Sequence, residues 1–135
     1  METFTLDKDI NLIYVQASSF PEGILNAFDT LYSKVSDIHK RRQFGISRPE
    51  NGKIAYKAAV EELLSGEASI LGLQFMSIPK GRYVSAIVKD FMNNVSDIGN
   101  TFNQLLGVNG IDSQGYCVEC YLNPTDVKCM VRLAD

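Results

Sequence analysis

From Asp126 to Leu133 the apolar positions alternate. Val127, Cys129, Val131 and Leu133 fall on one side of an extended chain, and Lys128, Met130 and Arg132 on the other. That period of two predicts a strand with one buried face. Asn123-Pro124-Thr125-Asp126 just before it is turn chemistry, so the run is expected to pair with residues 116–122 as a hairpin. Pro49-Glu50-Asn51-Gly52 does the same between residues 43–48 and 53–62. Elsewhere the spacing is three and four. Ile24, Phe28, Leu31, Tyr32 and Val35 form one apolar stripe, which predicts a helix. Ser19-Phe20-Pro21-Glu22 reads as its capping box, with Pro in the first turn. Ile98, Phe102, Leu105 and Leu106 predict a second helix, beginning near Ser96-Asp97 and stopping at Gly107. Residues 64–78 are the least patterned; Ser65-Gly66-Glu67 reads as a turn in a linking segment.

The pattern repeats. Tyr14-Val15-Gln16-Ala17 returns as Tyr83-Val84-Ser85-Ala86, and Ile24, Asn26, Phe28, Leu31 return at identical spacing as Ile98, Asn100, Phe102, Leu105. The chain therefore reads as strand, helix, strand, strand, twice over, in halves of about 1–66 and 75–135 that make a single domain. Neither helix is long enough to persist without packing on a sheet. Tyr14, Phe28, Tyr32 and Phe102 are expected in the core.

Composition narrows the function. A chain of 135 residues with 45% hydrophobic and 21% charged residues is an ordinary single globular domain. No apolar run approaches the roughly 20 residues that cross a bilayer, so no membrane role is expected. Residues 1–9 lack the basic-then-apolar order of a secretory signal, which reads as a cytoplasmic start. The net charge of −3 argues against direct nucleic-acid binding. Lys40-Arg41-Arg42, the one basic cluster, follows the first predicted helix, where positive charge complements the helix dipole. Cys117 and Cys120 make a C-x-x-C, but on a strand they point to opposite faces and can neither share a metal nor bridge. Free thiols, no metal and no cofactor are expected.

Glu119 is the least expected residue in a strand pattern. A turn centred on Pro124-Thr125 places Cys120 opposite Cys129 and Glu119 opposite Met130. Val118, Cys120 and Leu122 then join the helix-covered face. Glu119 falls on the other face with Tyr121, Lys128, Met130 and Arg132. There it either pairs with Lys128 or Arg132, for about 0–1 kcal/mol, or supplies negative charge to a cationic ligand in a hollow.

Three segments together, Phe44-Gly45-Ile46-Ser47-Arg48-Pro49, Ile78-Pro79-Lys80-Gly81-Arg82-Tyr83 and Val118-Glu119-Cys120-Tyr121-Leu122-Asn123-Pro124, resemble the gyrase-inhibitor-like family. That family includes the effector-binding domains of bacterial multidrug-responsive transcription activators. The resemblance covers essentially the whole chain and leaves no segment for a DNA-binding part. It implies an α+β fold of tandem βαββ repeats with pseudo-twofold symmetry, a curved antiparallel sheet packed with two main helices. It also implies a site between the halves, where a strand-borne glutamate and aromatic rings receive hydrophobic cations. Glu119 matches that glutamate, and Tyr121, Phe44, Tyr56, Tyr83 and Met130 are the accompanying candidates. Rings attract a cation by roughly 0.5–2 kcal/mol each, and such packing tolerates varied ligands. Cys120 stands where relatives often carry a larger aromatic, which would alter the pocket.

The expected function is binding of a hydrophobic, cationic or aromatic small molecule, for sensing or sequestration, rather than catalysis. Two rivals follow from the same resemblance. Some stand-alone relatives are hydrolases of electrophilic small molecules, for which Glu119 would direct water. Others inhibit DNA gyrase by binding it, so gyrase or a separate regulator is a candidate partner, with the chain a monomer or homodimer. A haem-binding family shares the architecture, but His39, the one histidine, sits among basic residues at a helix end. Gly99, Gly107, Gly110 and Gly115 match no nucleotide-binding spacing.

Overall fold

A computed structural model describes residues 1–135. In chain order it contains β1 (Glu2–Leu6), β2 (Ile10–Gln16), α1 (Ile24–Lys34), β3 (Gln43–Glu50), β4 (Lys53–Glu61), α2 (Glu67–Leu71), β5 (Gln74–Ile78), β6 (Gly81–Val88), α3 (Val95–Leu106), β7 (Cys117–Tyr121) and β8 (Val127–Arg132). Single 3-10 turns lie at Ile38–Lys40 and Phe91–Asn93. The fold is α+β and antiparallel, with the βαββ order present as β2-α1-β3-β4 and again as β6-α3-β7-β8. No helix is long and apolar enough to cross a membrane.

Two compact units emerge, residues 9–78 and residues 1–8 with 79–135. The second includes a strand that the sequence reading passed over. Glu2-Thr3-Phe4-Thr5-Leu6 alternates with period two and pairs with β6, Phe4 opposite Tyr83. Likewise β5, in the stretch that read as a link, pairs back onto β2, Phe75 opposite Ile13. Pairing thus sends residues 1–8 to the unit of residues 79–135, and β5 to the unit of residues 9–78.

In the unit of residues 9–78 the strand order is β3-β4-β2-β5. Ile13, Ala58 and Val60 face α1 and meet Ala27, Leu31 and Val35, with Ala68 of α2 completing the cluster. Tyr32 is no part of that core; it is 38% exposed and donates its hydroxyl to Gln43. The hairpin turn is Asn51-Gly52, with φ of 54° and 78°. Both angles match the two-residue loop that suits twisted strands. Pro49 is therefore inside β3, opposite Ile54, and not in the turn.

The entrance to α1 also differs from expectation. Helix geometry begins at Ile24 after Gly23, and no side chain caps it. Residues 19–22 fold back on themselves, the Gly23 amide donating to the Ser19 carbonyl. A Cβ on Gly23 would lie 2.8 Å from Ser19 backbone atoms, so glycine is needed for this approach. The basic cluster is not a helix-dipole device either. Helix α1 ends at Lys34, and the Arg41 side chain, 1% exposed, forms a two-pronged pair with Glu67 at the start of α2. Its Nε also donates to the Ser36 carbonyl at 2.9 Å. This guanidinium holds the Glu67 carboxyl down to about 2.

In the other unit the order is β1-β6-β8-β7. Val84, Val88, Val127, Cys129, Val131 and Leu133 pack with Phe102 and Leu105 of α3. The Pro79-x-Gly81-x-Tyr83 motif has a structural explanation here. Gly81 has φ 138°, and the Arg132 guanidinium lies so close that a Cβ would come within 2.6 Å of it. Arg132 donates to the Lys80 carbonyl, and the Tyr83 hydroxyl donates to the Pro79 carbonyl. The motif shapes the way into β6.

Candidate functional site

The decisive local feature is the turn between β7 and β8. The Asn123 side-chain oxygen accepts from the amides of Thr125 and Asp126, each at 2.8 Å, and the Leu122 amide donates to the Asp126 carbonyl at 3.0 Å. Three residues, 123–125, therefore form the loop, where two had been expected. That odd count slips the pairing by one. Glu119 stands opposite Cys129, Cys120 opposite Lys128, and Val118 opposite Met130. A one-residue slip exchanges the faces of a strand, so the predicted register is corrected. Cys117, Glu119 and Tyr121 share the α3-facing side with Val127, Cys129 and Val131, while Val118 and Cys120 face the other way.

Glu119 is thus a half-buried carboxylate on the helix-covered face. On its own strand the Tyr121 hydroxyl donates to Oε1 at 2.6 Å. Tyr121 in turn lies against Phe91, ring centroids 5.6 Å apart, and both pack on the α3 core. Cys117 and Cys129 flank the carboxylate. Burial, and then the negative charge of Glu119, push their thiols up to about 11 and about 12. That burial is the larger cause of the upward shift at both thiols marks the surroundings as poorly solvated. The expected exposed pairing with Lys128 or Arg132 does not occur on this face. Lys128 projects from the opposite face over the Phe4 ring, 3.8 Å from its centroid, and Arg132 is engaged at Lys80, Asp112 and Asp135.

The other candidates divide. Tyr83 and Met130 belong to the same unit but to the opposite face, Tyr83 stacked on Phe4 at 5.7 Å and Met130 opposite Ser85. They are 1% and 4% exposed. The structure does not bring them to the Glu119 side of β7. In the unit of residues 9–78, Tyr56 faces α1, under Phe20 and Phe28, whereas Phe44, opposite Ala59, faces away from it. His39 is exposed on the 3-10 turn after α1. Cys117, Cys129 and Phe91 were missed as neighbours of Glu119. The register error hid the two thiols, and Phe91, in the stretch between β6 and α3, carries no periodic signal.

A carboxylate among thiols and rings, with a phenol donating to it, can hold a positive charge in surroundings where water competes poorly. No protein-family model matches the chain, and no curated protein matches it by sequence. Solved structures do. An integron cassette protein from the mobile metagenome of Vibrio cholerae superimposes with a TM-score of 0.64 at 15% identity, covering 98% of this chain and 94% of that one. SAV2435 bound to tetraphenylphosphonium gives 0.62 at 13% identity, covering 97% and 93%. A hydrolase from Listeria innocua gives 0.62 at 10% identity, covering 98% and 90%. The likeness is one of fold. At these identities it carries architecture, and function has to be argued from the residues of this chain.

Proposed function

We propose that this chain binds hydrophobic organic cations, with Glu119 as the charge anchor and Tyr121 as the residue that orients it. The observation that carries the reading is the placement of Glu119 on the α3-facing side of β7, between two thiols whose pKa burial raises and beside Tyr121 and Phe91. A carboxylate in poorly solvated surroundings attracts positive charge strongly, because water screens it weakly there. A delocalised cation with apolar substituents suits it, since the rings and aliphatic walls take the substituents while the carboxylate takes the charge. A protein of the same fold binding tetraphenylphosphonium supports the reading. Sensing or sequestration is the role such binding would serve.

The likeness to a hydrolase gives a second reading, in which Glu119 directs a water at an electrophilic substrate. One experiment addresses both. Calorimetric titration with tetraphenylphosphonium and with neutral triphenylphosphine oxide is run on the wild type and on Glu119→Gln. The binding reading expects the cation to be preferred and its affinity to fall on the order of tenfold or more in the variant, with the neutral compound little changed. Equal affinity of both proteins for the cation removes Glu119 as anchor. Catalytic loss of an epoxide, abolished in Glu119→Gln, would move the assignment to the hydrolase.

A further inference from the structure

Strand β5 has one strand neighbour, β2, and its other edge pairs with none. Natural edge strands are usually blunted by charge, proline or a bulge. Here the strand is Gln74-Phe75-Met76-Ser77-Ile78, and residues 68–79 hold no ionisable side chain, in a chain with 29 Asp, Glu, Lys and Arg residues. By contrast β1 carries Glu2 and runs straight into Asp7, Lys8 and Asp9. Phe75 is 51% exposed on β5 itself, and Ile70 of α2, shortly before it in the chain, is 81% exposed.

An open strand edge accepts an extended backbone, which restricts what can cover it. We infer that β5 is a dimerisation edge that pairs antiparallel with β5 of a second copy of this chain. Centred on Met76, the pairing sets Met76 against Met76 of the partner subunit and Phe75 against Ser77 of the partner subunit. The two Phe75 rings are then diagonal neighbours, within reach of one another across the pair. Because the stretch is uncharged, the twofold arrangement brings no like charges together. Five paired residues with these side chains cover less than the about 1,200 Å² of a standard stable interface, so the dimer is a weak one that forms as concentration rises. This assignment is independent of the ligand reading.

Sedimentation velocity over roughly a hundredfold range of concentration tests it, on the wild type and on Phe75→Lys. Phe75 is half exposed, so the lysine leaves the monomer fold intact, which circular dichroism verifies. The wild type is expected to pass from monomer to dimer, and Phe75→Lys to remain monomeric throughout. Amide exchange in residues 74–78 of the wild type should slow as concentration rises. A wild type that stays monomeric, a dimer that survives Phe75→Lys, or a dimer without added protection in β5 would each overturn the assignment.

Discussion

The two units share a plan and differ in how each treats a half-buried carboxylate. In both, one leucine of the main helix is wholly buried at the same place in the repeat, Leu31 of α1 and Leu105 of α3. In the unit of residues 9–78 the side of β3 that faces α1 carries Gln43, Gly45 and Ser47, and the half-buried carboxylate of Glu67 lies elsewhere, held by the two prongs of the buried Arg41. In the other unit the α3-facing side of β7 carries Cys117, Glu119 and Tyr121, and a neutral phenol donates to the carboxylate from its own strand. One acid braces a fold; the other is placed among apolar groups on a helix-covered sheet. The repeat supplies scaffolding, and the departure from the repeat is where function is to be sought.

The largest expected effect tests the shared part. Leu31→Ala and Leu105→Ala each remove a fully buried side chain and should each cost about 3 kcal/mol in urea unfolding. Losses that differ by more than about 2 kcal/mol would show that the two helices do not play equivalent roles. A smaller effect tests the brace. Glu67→Gln keeps an acceptor near Arg41 but removes the charge paired directly with that guanidinium, 1% exposed, for a cost of about 2 kcal/mol at pH 7. The pH dependence has a definite sign. The Glu67 carboxyl is held at about 2 in the fold against 4.5 ordinarily, so its contribution is complete above pH 4.5 and is lost as pH falls toward 2. The gap between wild type and Glu67→Gln should therefore narrow on acidification through that window. A gap that stays constant would mean the pair contributes through shape and not through charge.

How far these features were legible in the sequence depended on where the signal resided. Both main helices, both hairpins and the repeat followed from periodicity, because each is a local pattern backed by a buried stripe. Strands β1 and β5 did not, since each pairs with a strand outside its own stretch of chain and a five-residue run says little about its partner. The Arg41–Glu67 pair joins residues 26 apart, and nothing in Lys40-Arg41-Arg42 distinguishes the buried member from the exposed ones. Glu119 stands out in the sequence as an acid in a strand pattern, yet the expected register assigns it to the wrong face. The alternation of β8 was right, and the error lay entirely in one residue of loop length, where the Asn123 side chain closes a three-residue turn in place of a two-residue one. Turn chemistry announced that a turn was present without fixing its length, and face is exquisitely sensitive to length.

The smallest expected effect bears most directly on the difference between the units. If Glu119 is ionised among poorly solvated groups, its charge should be felt by the thiols on either side. Burial is the larger cause of their raised values and Glu119 the next, so Glu119→Gln removes only the lesser contribution. Its sign is fixed: without the negative neighbour the thiolate form becomes easier to reach, and Cys117 should alkylate faster at mildly alkaline pH. Because burial remains, the gain should be on the order of threefold and not the tenfold of a full unit. Cys129, fully buried, should stay slow in both proteins, and Cys120, which projects from the other face, should change less than Cys117. Residue-resolved mass spectrometry after iodoacetamide treatment reads all three. An unchanged or slower Cys117 in Glu119→Gln would mean that the carboxyl is already neutral or well solvated, and β7 would then lose the feature that sets its unit apart.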